Sequence, residues 1–349
     1  MKKSLLKFPV LILIVTIVFI SCSKKEDFTA EEQQQTEEIE IGLTFRKSSL
    51  KNQEIAFKVF DSEGTEITEN ITFFVDGALL EGNTFQSSAE GSFEVYAEYT
   101  VEDQTVVTDT ETFSVVTPKR KIVLEDYTGT WCGYCPSLDA AINSVALQTE
   151  HISVVAIHNN DDLALAIEPT IRQEFGVFGF PSGRINRTTT WGSALNFPED
   201  QVLDIAGENV NTAISIDSKV ENGNLFVEVN VASEASLQDR KLVVYLVEDG
   251  IIRDQTNYFN NDSNSPYYQL GDPIIDFELN HVLRAAISDV FGDVIPNTAE
   301  LTDYTANYNY NLPSDFVVEN LSLVVMVVDM DNSAINSQYA HVGESIFYE

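Results

Sequence analysis

Apolar positions divide the chain into stretches with different periods. From Ile39 to Val116, short runs alternate apolar and polar residues, as in Ile39-Glu40-Ile41, Ile55-Ala56-Phe57-Lys58-Val59 and Phe93-Glu94-Val95-Tyr96-Ala97. A period of two puts one side of a strand against a core and the other in water. Turn signals at Ser62-Glu63-Gly64, Asp76-Gly77 and Glu81-Gly82-Asn83 separate the runs, so residues 39–117 are expected to form a small antiparallel β-sandwich. Over residues 119–211, apolar runs at 121–127, 152–158 and 183–187 alternate with helix-compatible segments at 136–148, 168–175 and 199–211. That alternation predicts a sheet covered by helices. Strand-like runs then return at 213–220, 225–231, 242–247, 301–310 and 321–329, and residues 212–349 are expected to form a second β-rich domain.

The first residues read as an address. Lys2, Lys3 and Lys7 precede an apolar run from Val10 to Ile20, which is short for a bilayer span and fits a signal segment over residues 1–21. Phe19-Ile20-Ser21-Cys22 resembles a bacterial lipoprotein box, with Phe19 in place of the usual Leu. The resemblance implies cleavage before Cys22, lipidation of that cysteine and anchoring in the membrane; a cleaved secretory signal with an incidental cysteine is the alternative. Residues 22–38 are polar, without apolar periodicity, and read as a flexible tether.

Composition narrows the function. A formal charge of −35 over 349 residues disfavours contact with phosphate backbones, so no nucleic-acid partner is expected. Hydrophobic residues at 44% suffice for packed cores. Beyond Cys22 the chain has two cysteines, Cys132 and Cys135.

These two lie in Glu125-Asp126-Tyr127-Thr128-Gly129-Thr130-Trp131-Cys132-Gly133-Tyr134-Cys135-Pro136, between an expected strand and an expected helix. A Cys132 thiolate on the first helical turn would be favoured by free backbone N–H groups and the helix dipole. Two bland alternatives stand beside this: half of a zinc site and an inert structural disulfide. His151, His158, His281 and His341 show no metal-type spacing with the pair, and no metal or cofactor is expected.

Trp-Cys-Gly-Tyr-Cys resembles the redox motif of the thioredoxin superfamily. The resemblance implies that Cys132 is the nucleophile and Cys135 the resolving thiol. It also implies that Asp126 is the buried acid exchanging a proton with Cys135, and that Trp131, Phe180 and Pro181 meet the substrate. Gly179-Phe180-Pro181-Ser182 would be its cis-proline loop. The Gly91 to Ala97 run resembles a late strand of bacterial immunoglobulin-like modules. The expected fold class is therefore α/β plus all-β: a thioredoxin-like domain flanked by an N-terminal immunoglobulin-like sandwich and a C-terminal β-rich sandwich domain. His158 ends an expected strand, where it either makes an ordinary hydrogen bond or joins the cysteines around copper. Asn257 to Asp272 reads as a long solvated loop, with Asp262 and Asp272 as weaker candidates for calcium.

A narrower resemblance covers residues 121–349. Glu248-Asp249-Gly250-Ile251-Ile252, Gln255, Asn280-His281-Val282-Leu283-Arg284, Tyr127-Thr128-Gly129 and the segment from Gly179 to Arg187 are similar to outer-membrane-protein-28-related lipoproteins. That family implies an outer-membrane, lipid-anchored address, at the periplasmic face or the cell surface. The expected function is a thiol-disulfide oxidoreductase of the envelope acting on proteins that carry thiols or disulfides. The alternatives are a surface binding or adhesion lipoprotein with a non-catalytic thioredoxin-like fold, and a copper-handling protein.

Overall fold

Two strands in the C-terminal half, Arg240–Glu248 and Leu321–Asp329, carry continuous apolar runs that are buried throughout. Strands that are apolar on both faces are stable only between two covering layers. Both lie in such a position: Leu242, Val244, Leu246, Leu323, Val325 and Val327 face one core, and the alternate residues Val243, Tyr245, Val247, Val324, Met326 and Val328 face another.

The computed structural model describes residues 39–349 apart from Asp103 and Ala194, so the signal segment, Cys22 and the tether lie outside the described residues. The central sheet has nine strands: β1 Ile122–Thr128, β2 Ile152–His158, β3 Ser182–Ile185, β4 Thr189–Trp191, β5 Arg240–Glu248, β6 Val282–Ala286, β7 Asp293–Ile295, β8 Leu321–Asp329 and β9 Ala334–His341. Their spatial order is β4-β3-β1-β2-β6-β5-β8-β9, with β7 also on β5. β1 pairs with β2 in parallel, from Ile122 opposite Ile152 to Thr128 opposite His158. β2 meets β6 in parallel through Ala156 and Val282.

This sheet corrects the expected fold class. The described chain is mostly β-strand, and its three α-helices are short: α1 Pro136–Ala146, α2 Glu168–Glu174 and α3 Asp200–Leu203. No thioredoxin-like α/β core stands apart among the described residues. The strands expected for one, β1 to β3, together with β4, are one end of a sheet that continues from β2 through β6 into the C-terminal strands. The apolar pattern identified strands but could not show that the free edge of β2 is taken by β6, more than a hundred residues later. The helix expected over 199–211 ends at Leu203, where the chain turns through Gly207 at φ 76° and bridges Lys119 at Asn209.

The sandwich expectations agree with the structure. Residues 41–116 form sheets around Ile55, Phe57, Val59, Phe73, Val95 and Phe113, antiparallel except where Ser48–Leu50 runs parallel to Glu111–Val116. In the C-terminal half, a four-stranded sheet of Thr212–Glu221, Asn224–Ser233, Tyr304–Asn311 and Ser345–Ile346 packs Ile216, Val227 and Val229 onto the first face of β5 and β8. Among the described residues, no helix is long and apolar enough to cross a membrane.

Candidate active site

Alternation along β1 decides what reaches the helical face of the sheet. Ile122 and Leu124 pack beneath α1 with Leu138, Ile142 and Val145, so Asp126 and Thr128 share that face. Val123 and Tyr127 face the opposite core. Glu125 points there too and pairs with Arg187 at 3.1 Å, both side chains fully buried. On β2, Val154 lies under α1, which puts Ala156 and His158 in line with it. Where this face meets the start of α1 there is a cavity of about 20 Å³, lined by Asp126, Thr128, Cys135, Asp139, His158 and Gln255, among others. It has room for about one water molecule.

Cys132 and Cys135 are joined in a disulfide, with Cα atoms 5.4 Å apart. Pro136 opens α1 and Cys135 precedes it. Cys132 is therefore not on the first helical turn, as expected, but one reverse turn earlier, closed by the Cys135 N–H on the Cys132 carbonyl at 3.1 Å. The two sulfurs face different surroundings. Cys135 lines the inner cavity with Asp126, whereas Cys132 follows Trp131, which is 44% exposed. Both cysteines are nearly enclosed, at 4% and 2% exposure.

Phe180–Pro181 is a cis peptide, and the Phe180 ring meets Trp131 edge-on at 5.6 Å. The Trp131 indole N–H donates to the Asn159 carbonyl at 2.6 Å. Phe178 and Tyr134 are exposed nearby in the chain. Pro181 is half-buried and leads into β3. The structure thus brings Trp131 to Phe180 and Asp126 to Cys135.

The Asp126 carboxyl is buried, and its Oδ1 has no hydrogen-bond partner. Burial first, and the charge of Asp139 second, push it well above the usual carboxylate range. Asp139, in the first turn of α1, is also raised by burial, against the opposing effects of the Tyr267 hydroxyl and His281. The Tyr267 hydroxyl donates to Asp139 Oδ2 at 2.8 Å. His158 Nδ1 lies 2.8 Å from Asp161 Oδ2, and its buried Nε2 has no partner. Burial works against the Asp161 charge, yet hydrogen bonds from His158, Thr130 and Leu163 hold that carboxyl below its usual range. Among the described residues, no group of three or more His, Cys, Asp or Glu side chains is arranged to hold a metal ion.

The segment from Gln255 to Asp272 was missed as part of this site. It is not a free solvated loop. Gln255 Nε2 donates to the Cys132 carbonyl at 3.0 Å, Thr256 N–H to the Thr130 carbonyl at 2.9 Å and Tyr258 N–H to the Gly133 carbonyl at 2.9 Å. Tyr134 packs edge-on against Tyr258 and Phe259. Asp262 Oδ1 accepts the Asn264 N–H and closes a turn, whereas Asp272 Oδ1 accepts the Asn257 N–H and ties the two ends of the segment together. The length of the segment was a signal that it did more than connect strands. Nothing in its residues named Tyr267 as the partner of Asp139.

A domain of the outer membrane lipoprotein Omp28 from Porphyromonas gingivalis, known from its crystal structure, is 21% identical over 38% of this chain and 89% of that chain, with a TM-score of 0.25. A beta-glucosidase from Kluyveromyces marxianus in complex with glucose is 9% identical over 88% of this chain and 44% of that chain, with a TM-score of 0.19. At such scores neither likeness bears on fold or chemistry. No curated protein matches the chain. The family model described as outer membrane protein Omp28 matches residues 168–346, more than half of the chain. The protein is accordingly a cell-envelope lipoprotein belonging to the Omp28 family of outer membrane proteins.

Proposed function

We propose that this protein is a thiol-disulfide oxidoreductase, anchored through a lipid on Cys22, that exchanges disulfides with envelope proteins. One observation carries the proposal: Cys135 shares a cavity with a buried acid, Asp126, and its disulfide partner Cys132, absent from that lining, directly follows the exposed Trp131 in the chain. That asymmetry suits a two-step exchange. A substrate thiolate attacks Cys132 Sγ, the Cys132–Cys135 bond breaks, and Cys135 leaves as a thiolate that takes the proton of Asp126. A second thiolate of the same substrate then attacks its own sulfur in the mixed disulfide. It releases Cys132 as a thiolate and leaves the substrate oxidised and the protein pair reduced. A second disulfide couple returns the pair to its starting state, and the same steps in reverse reduce a substrate. Trp131 and Phe180 form the apolar wall beside the entry, and Pro181 shapes the loop behind it.

Near-complete enclosure of both cysteines favours a second reading, in which the disulfide is a structural clip and the β modules do the binding. Trapping separates the two. Cys135→Ser leaves Cys132 without its resolving partner, so the oxidoreductase accumulates mixed disulfides with envelope proteins, visible as adducts that vanish on reduction. Absence of adducts at full expression, with partner binding intact, supports the clip.

A further inference from the structure

We propose that Asp139, held by Tyr267, is a positioning residue that adds to burial in keeping the Asp126 carboxyl protonated beside the Cys135 sulfur. The inference rests on the exchange chemistry proposed above and adds to it a second carboxylate and a tyrosine supplied by the C-terminal half. Asp126, Asp139 and Cys135 line one cavity of about 20 Å³. An acidic pair alone would not make a site. Here Asp126 Oδ1 is buried in that cavity without a hydrogen-bond partner, so that oxygen has neither solvent nor a donor to stabilise charge on the carboxyl.

Asp139 is differently placed. It is half-buried on the first turn of α1, where the helix dipole favours an anion, and Tyr267 donates to its Oδ2 at 2.8 Å. Two carboxylates in one small cavity cannot both be charged cheaply, so the better-stabilised one keeps the charge and the other keeps the proton. The hydrogen bond assigns the charge to Asp139 and the proton to Asp126. When Cys135 leaves as a thiolate, its proton donor is then already loaded.

The other ionisable groups around the pair come from three directions. β2 contributes His158, whose Nδ1 is committed to Asp161. The turn before β6 contributes His281, whose proton affinity is lowered by burial although Asp249 and Asp139 oppose that. The segment after Gln255 contributes Tyr267, and the remaining wall of the cavity, Gln255, Phe277, Leu279 and Asn280, contributes no titrating group.

Carboxyl carbon resonances of Asp126, followed against pH in the oxidised full-length protein, test this without any thiol exchange. Asp139→Asn should lower the Asp126 midpoint by about one pH unit. Tyr267→Phe, which keeps the ring and removes the donor, should lower it by less, and it serves as the reading if the first variant does not fold. The acid limb of disulfide reduction by a small dithiol should move the same way. A midpoint unmoved in the folded variants overturns the proposal, even if rates fall equally at every pH. A shifted midpoint together with failed trapping keeps this electrostatic coupling and removes only the oxidoreductase function.

Discussion

Tyr258 lies flat over Gly133: its N–H donates to the Gly133 carbonyl at 2.9 Å, and a Cβ on residue 133 would come within 2.4 Å of the ring. The disulfide turn and the C-terminal segment were therefore fitted to one another, residue against residue. Gly133→Ala should push the ring away and cost about 1 to 3 kcal/mol. Thermal unfolding measures that cost, and hydrogen exchange should show faster opening at residues 256–259. Tyr258→Ala removes the cover without the clash, and it should speed reduction of the disulfide by a small thiol while changing stability less.

Asp126 ties stability to pH, and the sign is fixed by its surroundings. In the unfolded chain its carboxyl titrates near the ordinary aspartate value of about 3.9; in the folded protein burial raises it well above that. Between the two values the folded state binds the extra proton, so stability falls as pH rises through that window. Asp126→Asn carries no such proton, and its stability should decline less steeply. Urea unfolding between about pH 4 and pH 8 gives both slopes. Parallel slopes would remove the buried, proton-holding acid from the account.

The opposite face of β1 makes a separate prediction. Arg187 and Glu125 are fully buried, 3.1 Å apart, and Arg187 also donates to the Tyr245 hydroxyl at 2.9 Å and lies 4.7 Å from the centre of the Phe175 ring. Tyr245 belongs to β5, so this cluster ties the two halves of the sheet together. Arg187→Met should cost about 3 to 5 kcal/mol because it leaves Glu125 charged and unpaired. Adding Glu125→Gln should recover part of that loss, as denaturant midpoints of the single and double variants would show.

How much of this was legible depends on the distance over which each residue acts. The β2 strand over Ile152–His158 follows from a continuous apolar run, and the sandwich pattern of residues 39–117 from period two; both signals are local. The joining of β2 to β6 is set by a single parallel contact between Ala156 and Val282, and no local pattern encodes it. For that reason a separate α/β core was expected where one continuous sheet exists. Tyr267 and Tyr258 were illegible for the same cause: each acts on α1 or its preceding turn from more than a hundred residues away, out of a segment whose composition reads as loop. Cys132 was placed one turn too far along because Cys-Gly-Tyr-Cys forms its own turn before Pro136 starts the helix.

Under the proposed function, the fold makes the Cys132–Cys135 bond exchange-competent. The most direct measurement of this is the rate at which a dithiol peptide reduces that bond in the folded protein, set against an unstructured peptide carrying Trp131 to Pro136. The reaction should be faster in the protein and should lose its advantage at Asp126→Asn. An equal or slower rate in the protein, unchanged by that substitution, would contradict the proposed function.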